Sequence, residues 1–445
     1  MSRIPQPAAE QRVQSALVRF RQLYGAGLVR VLRAPARLNI LGEHVDYVSY
    51  LPTASLPFGS HEHAMLMLWR ARDDGQVRGA SINAAFAPFA FALQDGAQKG
   101  RNWEEWLTAQ PPPAAHWSNY VKGACFFAQW QQSNELTRGF DFLVDSTIPP
   151  RGGSSSSSAL TVLAGAALRH ANQIAFDHAA LAQASARAEW YCGTRGGALD
   201  HTAICLAERG QAVLLDHATG GTALVPLPSE GYRWVTCFSH EADKGNGVML
   251  AYNERAAVAR LLIPALLAEQ PSLDALPPAI TLAELARRQP QAFAECERLF
   301  PALVRERRDM PLKLFDRARH HQGEARRVRA AVGLLRATDL MPDATMRRLG
   351  ALLNATHESL RDLYEVSTSE VESLRNVLLT DPQMYGARLM GGGFGGVVLA
   401  LTAEENVAAL IERVQHDWYA PRGRDGVGEG SIMVSTPGAG LKELQ

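Results

Sequence analysis

The run Ile148-Pro-Pro-Arg-Gly-Gly-Ser-Ser-Ser-Ser-Ser-Ala-Leu160 constrains this chain more than any other segment. Two glycines lead into five consecutive serines. Leu160, Leu163, Ala164, Ala167 and Leu168 then fall at i, i+3, i+4, i+7 and i+8, one face of a helix. The spacing predicts a Gly/Ser loop that feeds a helix N-terminus. Free backbone N–H groups and the positive end of the helix dipole meet there, which makes an anion site. Serine hydroxyls add donors and a potential Mg²⁺ ligand. A flexible Gly/Ser linker has the same composition, so the flanking segments must decide between the two.

Those segments belong to a chain of ordinary globular make-up. Its 445 residues suggest about two domains. Lys+Arg and Asp+Glu both number 45, so the balance offers no support for a nucleic-acid or membrane-surface partner. The five cysteines form no C-x-x-C pair and read as reduced, buried thiols of a cytoplasmic protein. The first residues lack a signal-peptide core, and no window reaches 18 apolar residues, so no membrane span is expected.

Helical periodicity marks residues 10–24, a stretch from Trp117 through Phe126, the segment after the serines, and 177–192. Residues 64–70 and parts of 81–93 read as strands. Gly and Pro cluster at 219–231, a boundary between halves. Residues 252–270 and 280–365 are mostly helical in pattern, and 385–401 reads as strand, tight turn, strand. Strands and helices mix without regular alternation, which argues for an α+β fold.

Three polar clusters stand out. Met390-Gly-Gly-Gly-Phe-Gly-Gly396 satisfies G-x-G-x-x-G, but a β-type run, Val397 to Leu401, follows where a dinucleotide fold needs a helix. Neither a P-loop nor the protein-kinase motif set is present. These glycines bring a backbone turn close to a ligand or another loop, or make a plain hairpin. Arg37, Asn39, Glu43, His44 and Asp46 suit a metal or a polyol, since carboxylates accept from sugar hydroxyls; a solvated loop is the alternative. Gly193 to His201 ends in Asp200, a base in a glycine-rich turn or a helix cap. His61-Glu62-His63 reads as surface.

Together these segments resemble the GHMP family of small-molecule kinases, in its galactokinase branch. Ala36-Arg-Leu-Asn-Ile-Leu-Gly-Glu-His-Val-Asp-Tyr47 is similar to that branch's signature G-R-x-N-L-I-G-E-H-x-D-Y. The serine loop resembles P-x-G-x-G-L-S-S-S-A, Gly193–Asp200 resembles G-x-x-C-G-I-M-D, and Gly386–Gly396 resembles G-A-R-M-T-G-x-G-F-G-G. Trp117–Gly123 and His357–Ser367 are also similar to family segments, and all six occur in family order.

The resemblance implies a two-domain GHMP fold, divided here as 1–225 and 226–445, with the active site in the cleft between domains. It implies ATP- and Mg²⁺-dependent phosphorylation of a sugar at its anomeric hydroxyl, galactose first. Asp200 would accept or orient the hydroxyl proton, and Arg37 would stabilise the transferring phosphoryl group. Glu43, His44, Asp46, Gly197 and Tyr252 would bind sugar. Trp117 and Tyr120 would flank the base, and Gly152, Gly153, Ser154, Ser155, Ser156 and Ser157 would cradle phosphates. Glu189 and Ser156 would hold Mg²⁺; anchoring the loop on Pro150 and Ala159 gives Ser157 instead. Several positions depart from the family pattern: Ala36 for glycine, Arg151 and a further serine in the loop, Met390 for threonine, His201 for glutamine and Val48-Ser-Tyr50 for Asn-Gly-Gly. They leave room for N-acetylgalactosamine, a uronic acid, arabinose or a heptose as substrate, or for a non-catalytic sugar and ATP sensor.

Overall fold

The computed structural model describes residues 9–96, 102–109, 113–132, 135–150, 153–193, 195–228, 230–241, 246–337, 341–424 and 430–444. Arg151 and Gly152 lie outside the described residues.

The long strand Pro57–Arg72 organises the first half. Alternate side chains of a strand point to opposite faces. Met65, Met67 and Trp69 enter the main core, whereas Leu66 and Leu68 pack with Ala16 and Phe20 of the helix Ala9–Tyr24. The strand pairs antiparallel with Arg30–Asn39 on one side and Gly139–Ser146 on the other. Gln76–Ser81 joins Gly139–Ser146 in parallel, and Phe89–Ala92 closes that edge. Helices Ser118–Gln131, Ser156–Ala171, His178–Glu189 and Leu199–Leu206 cover the main-core face. The alanine-rich Ser156–Ala171 is almost wholly buried, because small residues let three helices and the sheet approach it closely.

A second, four-stranded antiparallel sheet runs in the order Met384–Met390, Gly396–Ala403, Tyr232–His240, Ile432–Ser435. Helix Pro342–Asp362 presses on its edge at Gly350, where a Cβ would sit 2.1 Å from the Tyr385 carbonyl oxygen. Thr222–Pro226 pairs with Gln211–Asp216, and the C-terminal Lys442–Leu444 returns to pair with Arg30–Asn39 in the first sheet. The two sheets meet where Arg388 donates to the carbonyl of Asn39 at 2.8 Å. The fold is the expected mixture of helices and mainly antiparallel sheets.

Two smaller expectations change. His63 is buried within the long strand, whereas His61 and Glu62 are exposed as expected, with Glu62 accepting from the N–H and hydroxyl of Thr436. Cys125, Cys205, Cys237 and Cys296 are buried free thiols, but Cys192 is only half-buried. Among the described residues no helix is long and apolar enough to cross a membrane.

Candidate active site

On the strand Arg30–Asn39, Leu32, Ala34, Ala36 and Leu38 face the core. The opposite parity carries Arg33, Arg37 and Asn39. Arg37 is 4% exposed and its Nε donates to Asp200 Oδ1 at 2.7 Å. Asp200 sits in the first turn of Leu199–Leu206, its side chain 30% open to the cleft. Its other oxygen accepts from Ser155 Oγ at 2.5 Å.

That bond changes the helix start. Ser155 is the N-cap residue of Ser156–Ala171, yet its hydroxyl makes no cap, because it is committed to Asp200. Among the described residues the N–H groups of the first turn therefore keep no side-chain acceptor, the condition for receiving an anion. Gly153 at φ +75° and Ser155 at φ +61° both take the left-handed conformation. Gly153 also lies against the late glycine cluster: a Cβ on Gly391, itself at φ +91°, would be 3.2 Å from the Gly153 oxygen. The glycine cluster thus approaches the serine loop rather than forming an isolated hairpin.

Arg37, Glu43, His44, Asp46, Ser157, Ser158, Glu189, Trp190, Gly197, Asp200, His201 and Tyr252 line one cleft of about 220 Å³, together with Gly391 and Gly392. Gly197 has no alternative there, since a Cβ would fall 2.2 Å from Asp46 Oδ2. Glu43 is gripped by a short contact with Arg388, which is fully buried. Gly42, at φ +90°, donates to Glu324 at 2.7 Å and fixes the turn that delivers Glu43 and His44. His44 Nδ1 is 2.8 Å from the Tyr47 hydroxyl, which reaches Tyr364 at 3.1 Å. Arg388, Glu324 and Tyr364 were given no role from the sequence. Arg388 and Tyr364 lie in segments matched to the family, but only the fold shows that they hold Glu43 and His44.

The charges are tuned. Burial would raise the Asp200 carboxyl, but the charge and hydrogen bond of Arg37, helped by Ser155, hold it below the ordinary carboxylate range. Burial lowers His44 to about 3, with Arg255 and Arg388 acting in the same direction, so its imidazole is neutral at physiological pH. Burial and the nearby Asp200 charge push Asp46 up to about 6.

In the serine run, Ser157, the alternative Mg²⁺ ligand, and Ser158 face the cleft, and Ser156 is not among its lining residues. Ser158 Oγ donates to Glu189 Oε2 at 2.9 Å. The structure does not bring Ser156 to Glu189. Two residues along a helix is about 200° of rotation, so the face that offers Ser158 turns Ser156 away. His201 Nε2 also lies 2.7 Å from Glu189 Oε2. Trp117 and Tyr120 do not line this cleft; Trp117 packs edge-on to Phe89 and donates to the Ala87 carbonyl at 2.8 Å. Met390 places its sulfur 3.2 Å from the Asn39 N–H.

Models of known families match three parts of the chain: the galactokinase galactose-binding signature at 18–54, the GHMP kinases N-terminal domain at 119–208, and the GHMP kinases C-terminal domain at 337–420. The galactokinase of Chloroflexus aurantiacus is 31% identical over 433 residues, covering 95% of each chain. This chain belongs to the galactokinase family of GHMP kinases. The Bos taurus galactokinase is 30% identical, over 94% of this chain and 95% of its own. The crystal structure of Lactococcus lactis galactokinase complexed with galactose superposes with a TM-score of 0.74 at 27% identity, over 97% of this chain and 100% of that one. A mevalonate kinase, at 12% identity and a TM-score of 0.56, shares the fold. The signature match ends at residue 54 and takes in Arg37, Glu43, His44 and Asp46, the same residues that meet in the cleft.

Proposed function

We propose that this chain is an ATP-dependent sugar 1-kinase that converts galactose to galactose 1-phosphate. The observation that carries the reading is the buried Arg37–Asp200–Ser155 constellation on the wall of a cleft that also holds Glu43, His44, Asp46 and Tyr252. The galactokinase relatives support the choice of sugar. Glu43 and Asp46 accept from sugar hydroxyls, His44 and Tyr252 supply neutral polar contacts, and Gly197 lets the ring approach the backbone. The anomeric oxygen attacks the γ-phosphorus of ATP; the new O–P bond forms as the bond to the ADP oxygen breaks. The hydroxyl proton passes to the Asp200 carboxylate. With its affinity for protons lowered, Asp200 serves first as a firmly placed acceptor, and Arg37 balances the negative charge on the phosphoryl oxygens. Gly153 and the serine loop cradle the phosphates, with Gly152 assigned there from the sequence; Trp117 and Tyr120 remain the assigned neighbours of the base.

Mg²⁺ fits the donors present. Among the described residues no group of three His, Cys, Asp or Glu gathers to hold a metal. Mg²⁺ in phosphoryl transfer commonly takes one or two carboxylates, substrate phosphates and waters. Glu189 with the hydroxyls of Ser157 and Ser158 offers such a hard-oxygen set, and the bound ion would neutralise phosphate charge. Glu189→Gln is expected to weaken binding of the spectroscopic substitute Mn²⁺ in the presence of an ATP analogue by about 10–100-fold. Unchanged Mn²⁺ affinity would remove Glu189 from the site.

We divide the chain near residue 226, with its last strand returned to the first sheet, and place it in the cytoplasm on the strength of its free thiols. A sugar and ATP are the partners; nucleic acid and membrane are not. An ADP-release assay across galactose, N-acetylgalactosamine, galacturonate, arabinose and a heptose tests the reading. Galactose is expected to give the highest kcat/KM. Bound ATP without turnover of any sugar would leave a sensor in place of an enzyme.

A further inference from the structure

The helix that brings Tyr252 to the cleft carries a second polar group. Asn246–Ala257 passes through a π-type turn, Val258–Leu262, before continuing as Ile263–Glu269. In an α-helix, residues seven apart share a face, here Tyr252 and Ala259, which pack in one cluster with Val45 and Tyr47. The wider turn admits an extra residue to that face, and single π turns recur at functional sites. The residue admitted is Arg260. Its guanidinium donates to the Gly196 carbonyl at 3.1 Å and lies 5.7 Å from the Tyr47 ring and 5.4 Å from the Trp190 ring. Each of those three residues is next in sequence to a group of the cleft: Asp46, Glu189 and Gly197. Among the described residues Arg260 makes no direct ion pair.

We propose that Arg260 is a positioning residue of the sugar site, which pins the Gly196-Gly197 turn through its carbonyl and sets a positive charge over Tyr47, the chain neighbour of Asp46. The inference rests on the sugar-kinase reading. Asp46 is enclosed by the carboxylates of Asp200 and Glu43, the guanidinium of Arg37, the imidazole of His44 and the phenols of Tyr47, Tyr252 and Tyr364. Burial, Asp200 and Glu43 all favour its protonated form, and Arg260 opposes them. Removing that charge raises Asp46 further. Since the ionised form binds sugar, the acid limb of kcat/KM for galactose then moves to higher pH.

Arg260→Met and Arg260→Lys separate the two contributions. Arg260→Met is expected to raise the galactose KM by about tenfold, with kcat and the ATP KM within about twofold. Its acid limb should rise by about one pH unit. Arg260→Lys keeps the charge, so its acid limb should stay at the wild-type position while KM rises only in part. Galactose affinity by calorimetry, without ATP, should follow KM. An unchanged galactose KM, an unmoved limb in Arg260→Met, or an equal rise in both substrates' KM would overturn the proposal. Should Arg260→Met fail to fold, Arg260→Gln carries the same comparison. Wild-type turnover of galactose is measured first, so failure of the kinase reading shows there and failure of the Arg260 role shows only in the variants.

Discussion

Asp200→Asn is expected to lower kcat by about 10²–10⁴-fold, the usual worth of a positioned proton acceptor. The galactose KM should change by no more than a few-fold, because Glu43, His44 and Asp46 stay in place. The substitution keeps the shape of the side chain and one oxygen able to accept from Arg37 or Ser155. What it removes is the negative charge that Arg37 and Ser155 both address at 2.7 and 2.5 Å. An amide cannot take the hydroxyl proton, and it leaves the Arg37 charge without a counter-ion. The Asp200 side chain is 30% open to the cleft, so water compensates part of that loss and a cooperative melting transition should persist. A variant with near-normal kcat refutes the role given to Asp200.

Much of this site could be read from the sequence because its residues lie in short, contiguous runs. Arg37 to Asp46 span one strand end and one turn, and Gly197 and Asp200 belong to one glycine-rich turn. Local spacing therefore kept them together. The supporting contacts come from far along the chain and carry no local signal. Arg388 meets Glu43 across 345 positions, and Glu324 reaches Gly42 across 282. Arg388 sits inside the Gly386–Gly396 motif and Glu324 within the helix Leu314–Arg336, and only packing shows that both are buried against the turn that delivers Glu43. The serine register stayed open between Ser156 and Ser157 for a different reason. Five identical residues give no side-chain landmark, so the phase of the helix start is set by what the hydroxyls bond to. Ser155 goes to Asp200 and Ser158 to Glu189, and neither bond has a trace in the run itself. The fold was legible at the level of element types. The return of Lys442–Leu444 to the first sheet was not, since a three-residue edge strand has no periodicity to detect.

Removing the cation of the central pair should cost more than removing its anion. Arg37→Ala is expected to lower kcat by about 10³–10⁵-fold, the range for an arginine that balances charge on a transferring phosphoryl group. It should also change how the remaining activity depends on pH. Burial is the largest influence on Asp200 and favours its protonated form; the Arg37 charge is the main opposing one. Without Arg37 the carboxyl moves upward, so the ionised, active form is lost at a higher pH than in the wild type. The acid limb of kcat should shift to higher pH in Arg37→Ala and stay near its original position in Arg37→Lys, which keeps a charge but not the planar fork. Loss of the guanidinium leaves one buried acceptor bond unmade, worth about 1–3 kcal/mol of stability, discounted because Asp200 keeps Ser155 and faces the cleft. If the two groups act as a unit, Arg37→Ala with Asp200→Asn loses far less than the product of the single losses. Multiplicative losses, together with an unmoved acid limb, would show that Arg37 serves the phosphate alone and does nothing for Asp200.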